Sequence, residues 1–311
     1  MKIVILDALT FGDSDLSGFS SLGDTEIFQI TSSSQTQERI KDADVIVTNK
    51  VVITDEHMQN SPSLKLICVA ATGMNNVDLV SAKKRAIEVK NVSGYSSDSV
   101  IQHTFSMLFY LIGHSKYYDN YVKDGLYANS EIFTDVSRPF FEIKGKKWGI
   151  IGFGEIGRGV AKVAKTFGAE ICYYSTSGKN SNNEYPRLLL EELLNSCDII
   201  SIHAPLNENT LNLLDYKELQ MCRDGAVILN LGRGGIINEA AVARIVDERD
   251  ILFGLDVLSR EPIEQNNHLL HVKNRDNLYI TPHIAWTSIE ARKALIDGVI
   301  ENIKSHLKQN K

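Results

Sequence analysis

The sequence predicts an α/β protein made of two doubly wound parallel-sheet domains. Three observations carry that prediction. Short β-branched runs alternate with amphipathic helical stretches along almost all of the 311 residues. The alternation runs as two successive series, parted by an apolar stretch at residues 100–112. Only the second series contains a G-x-G-x-x-G turn, so the two series are assigned to separate domains. The length agrees with two domains at about 150 residues each.

In the first series, residues 3–6, 45–47, 66–69 and 87–89 read as strands, and residues 35–41 and 79–85 as helices between them. The apolar stretch at 100–112 is broken by Gln102, His103 and Thr104. A membrane span needs about 20 apolar residues, so this is expected to be a buried helix. The second series gives strands at 147–151, 170–174, 198–202, 226–230, 251–255 and 278–280, with helices at 156–167, 188–194 and 239–247. Six strands make a full dinucleotide-binding sheet. The tail, 288–308, is one more amphipathic helix with no sheet of its own to join. It is expected to pack back on the first domain, giving a discontinuous domain of residues 1–97 plus 286–311 around a second of 98–285.

The formal net charge is -6, and the densest basic run is the short Lys144-Gly145-Lys146-Lys147. Duplex binding needs a basic patch, so nucleic acid is not expected as a partner. The apolar run after Met1 is too short for the core of a signal peptide and is closed by Asp7. Cys68, Cys172, Cys197 and Cys222 form no C-x-x-C pair and are read as reduced core thiols of a cytoplasmic protein. His268 and His271 lie three apart without a cysteine or acid at ligand spacing, so no metal is expected.

Gly152-Phe153-Gly154-Glu155-Ile156-Gly157 follows a strand and opens a helix whose apolar residues (Ile156, Val160, Val163, Ala164, Phe167) recur with period 3.6. That is the context the turn requires. Gly152 permits the tight bend, Gly154 lets backbone approach a pyrophosphate, and Gly157 allows close packing of helix on strand. With Glu155 and Ile156 they form the candidate cofactor-binding turn, and the helix N-terminus adds N–H groups for phosphate. In NAD-binding folds an acid at the end of the second strand bonds the ribose. Here Tyr173-Tyr174-Ser175-Thr176-Ser177-Gly178-Lys179 offers none, and no Asp or Glu lies between Ile171 and Asn183. Ser175, Thr176 and Lys179 are the candidate contacts. Hydroxyls and Lys179 suit a 2′-phosphate, although the segment holds no arginine, while Ser175 alone suits the ribose of NAD. NAD(H) and NADP(H) therefore both remain open.

Several further motifs stand in a fixed order: Ala71-Thr72-Gly73-Met74-Asn75-Asn76-Val77-Asp78, His203-Ala204-Pro205-Leu206 with Thr210, Asn230-Leu231-Gly232-Arg233-Gly234-Gly235, Gly254-Leu255-Asp256-Val257-Leu258 with Glu261-Pro262, and Thr281-Pro282-His283-Ile284-Ala285. Through them and the glycine turn the chain resembles, over nearly its whole length, the D-isomer-specific 2-hydroxyacid dehydrogenases, and within these most of all bacterial glycerate dehydrogenases (hydroxypyruvate reductases). The resemblance implies two Rossmann-like domains, the first flavodoxin-like, with the active site in the cleft between them, and a homodimer joined through the nucleotide domain. It implies an NAD(P)-dependent oxidoreductase that reduces hydroxypyruvate to D-glycerate or glyoxylate to glycolate.

Residue by residue, the resemblance makes His283 the acid/base, Glu261 its carboxylate partner and Arg233 the substrate arginine. Those residue types suit the chemistry. Imidazole titrates near neutrality, a neighbouring carboxylate favours its charged form, and guanidinium grips a carboxylate with a fixed fork of donors. The resemblance also places the N–H groups of Thr72 and Gly73 on the substrate carboxylate and Asp256 on the nicotinamide carboxamide. His203, Pro205 and Thr210 are expected to line the cofactor site. Loops near 48–54, 72–76 and 284–288 would set substrate size, so a D-lactate or longer-chain 2-keto acid dehydrogenase is the nearest alternative. An NAD(H)-sensing corepressor-like binding protein is the alternative of another class. A methyltransferase with a similar glycine turn would leave Arg233, Glu261 and His283 without a task.

Overall fold

A computed structural model describes residues 1–309. The chain divides into two compact units, Met1–Ser96 with Thr287–Lys311, and Ser97–Trp286. Ser97 and Trp286 thus fall in the second unit, one residue from the expected boundaries at either end, and residues 310 and 311 of the expected first domain lie outside the described residues.

The first unit is a five-stranded parallel sheet of β1 (Lys2–Ile5), β2 (Asp24–Ile27), β3 (Val45–Thr48), β4 (Leu66–Val69) and β5 (Glu88–Asn91), in the order β2-β1-β3-β4-β5. This is the flavodoxin-like order. The three central strands are buried throughout or nearly so, because a parallel sheet covered on both faces demands apolar residues at every position. β2 has no such signal. Its residues are Asp24, Thr25, Glu26 and Ile27, three of them exposed at the sheet edge, and the apolar pattern therefore misses it. Helices α1 (Ser33–Ile40), α2 (Asp55–Gln59) and α3 (Leu79–Lys84) complete the crossovers, with Asp78 capping α3 by accepting from Ser81 N–H at 3.0 Å.

The second unit opens with the buried helix α4 (Ser97–Ile112) and the fully surface-lying α5 (Ser115–Lys123). Its sheet holds β6 (Lys147–Ile151), β7 (Glu170–Tyr174), β8 (Ile199–Ile202), β9 (Val227–Asn230), β10 (Leu252–Leu255) and β11 (Leu278–Ile280), all parallel, in the order β11-β10-β9-β8-β6-β7. Helices α6 (Glu155–Thr166), α7 (Leu190–Ser196), α8 (Tyr216–Gln220) and α9 (Glu239–Glu248) connect them. The helix expected at 188–194 starts two residues late for a visible reason. Tyr173 N–H donates to Pro186 O and Leu188 N–H donates to Tyr173 O, a one-residue parallel bridge at Arg187 beyond β7. That bridge stands where a further edge strand would, outside the pair whose order reverses between β6 and β8.

The chain then returns to the first unit as α10 (Ile289–Gln309). It docks on β5 by polar contacts: His306 Nδ1 to Glu88 Oε2 at 2.6 Å, and Asn302 Nδ2 donating to Asn91 O at 2.9 Å. Gly298 allows the approach, since a Cβ there would lie 2.6 Å from Val92. All four cysteines are buried and free. Burial pushes the thiols of Cys68 and Cys222 up to about 12, which makes them inert core residues.

Candidate active site

Gly152 follows β6 with φ +90°, and a Cβ there would fall 2.6 Å from Ala204 N, backbone of the loop after β8. A Cβ on Gly157 would fall 2.4 Å from Gly152 O. These two glycines are required by contact. Gly154, the N-cap of α6, is different: a Cβ there would meet nothing within 4 Å. Open space at a helix N-terminus suits the approach of a ligand's phosphates. Glu155 accepts from Ser97 Oγ at 2.8 Å on the first turn of that helix, and Ile156 packs its side chain on the core.

Two groups beside the turn lack partners. Ser175, directly after β7, is 3% exposed, and its hydroxyl makes no hydrogen bond. Both ring nitrogens of His203, directly after β8, are shielded and unbonded. Burial pushes that imidazole down to about 3, so it stays neutral, with one donor and one acceptor to offer. Leaving such groups unpaired costs about 1–3 kcal/mol each. A dinucleotide laid along the turn would satisfy them, so the residues present fit the cofactor.

The structure changes three expectations here. Thr210 is fully buried, and its hydroxyl donates to Pro205 O at 2.7 Å while accepting from Asn207 N–H at 2.8 Å. It staples the loop from within and has no face for a ligand, whereas Pro205 is exposed on that loop. The strand-end segment holds no arginine in sequence, yet the bridge beyond β7 brings one to it. Arg187 Nη1 donates to Gly178 O at 3.1 Å, across the tight turn closed by Gly178 N–H to Ser175 O. Thr176 is half-buried beside Ser175, while Lys179 is exposed just past the turn.

The third change concerns Asp256. It is 1% exposed, and its carboxylate accepts from Thr281 Oγ1 at 2.6 Å, Ile284 N–H at 2.8 Å and Ala285 N–H at 3.0 Å. Its carbonyl takes His283 N–H at 2.9 Å. The work it is seen to do is to hold the loop of His283, rather than to present a free carboxylate to a cofactor.

His283 follows β11 with φ +55°, the left-handed region that costs a non-glycine residue about 1 kcal/mol or more. Its Nδ1 lies 2.7 Å from Glu261 Oε2, and Glu261 Oε1 accepts from Leu258 N–H at 3.0 Å. With both carboxylate oxygens engaged and Nδ1 committed, Nε2 is the ring atom left to exchange a proton. Arg233 lies in the turn after β9, half-buried, with Nη1 donating to Gly232 O at 2.8 Å. Asn230 clamps that turn, accepting from Gly232 N–H at 3.1 Å and donating to Arg233 O at 2.9 Å. A Cβ on Gly234 would fall 1.9 Å from Leu258 O, so only glycine lets the Arg233 turn lie against the segment that holds Glu261. Sequence reasoning quoted Asn230 and Gly234 but gave them no role. A buried Asn at a strand end is the signal that could have found the first.

In the first unit, Thr72 and Gly73 lie in the loop after β4, where Asn91 Nδ2 donates to Thr72 O at 2.6 Å. Among the described residues no backbone carbonyl accepts from the N–H of either. No group of three or more potential metal ligands occurs among the described residues, and no helix there is long and apolar enough to cross a membrane.

One half of the second sheet's carboxyl edge carries a glycine turn with unpartnered Ser175 and His203 beside it, and the other carries a histidine–carboxylate pair and an arginine turn, a combination that suits hydride chemistry. The class so defined is a dinucleotide-dependent oxidoreductase. Comparison with known proteins narrows it. Residues 105–285 match the family model described as D-isomer specific 2-hydroxyacid dehydrogenase, NAD binding domain. The chain is 35% identical over 318 residues to a hydroxypyruvate reductase of Blautia hydrogenotrophica, covering 99% of this chain and 97% of that protein. It is 32% identical over 269 residues to a glycerate dehydrogenase of Methylorubrum extorquens, covering 86% and 84%. Among solved structures, an acyclic imino acid reductase in complex with NADPH and D-Arg superposes with a TM-score of 0.87 at 30% identity, covering 99% of this chain and 98% of that one. The chain belongs to the D-isomer-specific 2-hydroxyacid dehydrogenase family, and is an oxidoreductase of 2-hydroxy acids that uses a nicotinamide cofactor.

Proposed function

We propose that this enzyme reduces hydroxypyruvate to D-glycerate, or glyoxylate to glycolate, with His283 as the proton donor. The observation that carries the assignment is the 2.7 Å contact of His283 Nδ1 with a Glu261 carboxylate that Leu258 N–H already holds in place. The nicotinamide, when bound, supplies the hydride to the carbonyl carbon. His283 gives the proton at Nε2 to the carbonyl oxygen, so the C=O becomes CH–OH, and Glu261 stabilises the imidazolium that precedes the transfer. Arg233 binds the acid's carboxylate and polarises the carbonyl. The N–H groups of Thr72 and Gly73, which no backbone carbonyl engages, suit a substrate carboxylate. Relatives named hydroxypyruvate reductase, glycerate dehydrogenase and glyoxylate reductase favour these small acids over lactate or longer chains. A corepressor-like reading would leave the Glu261–His283 pair unused.

For the cofactor, Arg187 tips the balance that the sequence left even. A guanidinium and Lys179 at a strand end without an acid favour NADP(H) over NAD(H). For assembly, Ile132, Phe133, Val136 and Phe140 form an exposed apolar stretch of the second unit, with Phe133 89% exposed. Such a stretch supports a homodimer through the nucleotide domain. Four buried, free thiols support a cytoplasmic setting.

The test is loss of reduced-nicotinamide absorbance with hydroxypyruvate, glyoxylate, pyruvate and a branched 2-keto acid, each with NADH and NADPH. Fast oxidation with hydroxypyruvate is expected; none with any acid, from folded protein that binds dinucleotide, would overturn the proposal. His283→Ala should lower kcat by at least about a hundredfold and leave dinucleotide affinity nearly unchanged. Unchanged turnover would remove His283 from the mechanism.

A further inference from the structure

The family's motifs leave the half-buried His103 of the second unit without a task. His103 sits inside α4, its side chain 15% exposed. Its Nε2 lies 3.2 Å from Thr281 Oγ1 and 3.6 Å from Asp256 Oδ1. The proton count fixes the directions of these bonds. A threonine hydroxyl has one hydrogen, and Thr281 spends it on Asp256 Oδ1 at 2.6 Å. The contact with His103 is then a bond that His103 donates, from Nε2–H to Thr281 Oγ1. Burial lowers the pKa of His103 against the pull of Asp256, so the ring carries a single proton, and the contact places it on Nε2.

One helical turn earlier on the same face of α4, Ser99 Oγ donates to Ala285 O at 2.6 Å. Helix α4 therefore grips both ends of the segment Thr281-Pro282-His283-Ile284-Ala285, and Asp256 grips its middle through Ile284 N–H, Ala285 N–H and the carbonyl bond to His283 N–H. The residue so clamped is in a left-handed conformation that it would leave if released.

We propose that His103 is a positioning residue for the reaction. By donating to Thr281 it orients the hydroxyl that fixes the Asp256 carboxylate, and Asp256 holds His283 at the angle its Nε2 needs. The proposal rests on His283 being the proton donor. A bridge that sets geometry acts on the chemical step. It leaves untouched the glycine turn that carries dinucleotide affinity and the arginine that binds the acid.

The test is steady-state kinetics of the full-length enzyme with hydroxypyruvate, on His103→Leu, His103→Gln, Thr281→Val, the double variant His103→Leu/Thr281→Val, and His283→Ala. His103→Leu is expected to lower kcat about tenfold, the scale of a sub-ångström misplacement, with KM and dinucleotide affinity within about twofold. His103→Gln, whose amide nitrogen reaches the position of Nε2, should recover most of kcat. Thr281→Val, which also removes the bond to Asp256, should lower kcat at least as far as His103→Leu, and the double variant should fall no further than Thr281→Val, because His103 acts only through that hydroxyl. Nitrogen-15 shifts of the wild-type imidazole should report the Nε2–H tautomer of His103. Wild-type kcat in both single variants, additive losses in the double, or the Nδ1–H tautomer would overturn the positioning role while an inactive His283→Ala keeps the proton-donor assignment. An active His283→Ala would instead overturn that assignment and the proposal with it. Should His103→Leu not fold, the near-isosteric Thr281→Val decides.

Discussion

Gly234→Ala tests the construction of the site without touching a reacting group. The added Cβ would lie 1.9 Å from Leu258 O, a backbone atom that no rotamer change can remove. Carbon and oxygen need more than 3 Å between them, so the two loops must part by more than 1 Å. Leu258 N–H is the donor that fixes Glu261 Oε1 at 3.0 Å, and Glu261 Oε2 in turn holds His283. The displacement therefore passes straight to the acid/base pair, and also shifts the Arg233 turn that Asn230 clamps. A misplacement of about 1 Å costs on the order of a hundredfold in rate, or about 2.7 kcal/mol at 1.36 kcal/mol per decade. Dinucleotide affinity should stay within about threefold, since Gly152 and Gly154 are untouched. The assay is kcat at saturating keto acid beside dinucleotide affinity by protein fluorescence, with thermal denaturation to confirm folding. A folded variant with kcat within threefold of wild type would refute the idea that contact between these loops sets the catalytic geometry.

Three further outcomes follow from other parts of the structure. Ser175→Asp should move preference toward NADH by repelling a 2′-phosphate, and Arg187→Ala should weaken binding of 2′,5′-ADP about tenfold without changing that of 5′-AMP; equal effects on both nucleotides would place Arg187 outside the subsite. In the first unit, burial alone would raise the Glu88 carboxyl, but the bond to His306 and the Lys90 ammonium outweigh it and hold the pKa below the usual carboxylate value. A depressed carboxyl stabilises the fold above its unfolded pKa and loses that contribution as pH falls through the folded one. Glu88→Gln should accordingly lower the melting temperature near pH 7, with the gap to wild type closing in acid; a gap independent of pH would mean that charge at this site is immaterial.

How much could be read from sequence depended on whether a residue's task was local. The strands that bury every side chain announced themselves, as at Ile199–Ile202 and Val227–Asn230. So did the glycine turn, whose spacing is fixed by its own hydrogen bonds and contacts. Strand β2 did not, because an edge strand can be Asp-Thr-Glu-Ile and still pair. The five-residue helices α2 and α8 are too short to show a period. Within the site, His283, Glu261 and Arg233 sit in motifs, so their types and order were legible. Arg187 was not, since only the bridge to Tyr173 carries it back to the Ser175 turn. Thr210 and Asp256 were legible as residues but not as roles. Each is a polar side chain at a strand or loop end, and only the direction of its hydrogen bonds tells a ligand contact from an internal brace.

The division of labour in the second unit follows from its sheet order. Gly152, Ser175 and His203 close β6, β7 and β8, three adjacent strands that straddle the reversal between β6 and β8. Arg233, the Asp256–Glu261 segment and His283 close β9, β10 and β11, the next three. Strand ends beside the reversal splay their connections to opposite faces and leave a crevice for the dinucleotide. From β8 onward the crossovers run one way, so successive loops lie side by side and can brace one another. The contacts Gly234 to Leu258 and Asp256 to Thr281, Ile284 and Ala285 are between such neighbours, and the bond of Leu258 to Glu261 within one loop carries the first of them on to His283. The first set of strand ends has a ligand to bind and the second a side chain to position. The demands of the two tasks differ in kind, because a cofactor must enter and leave while a proton donor must stay put, and one parallel sheet meets both by changing direction once.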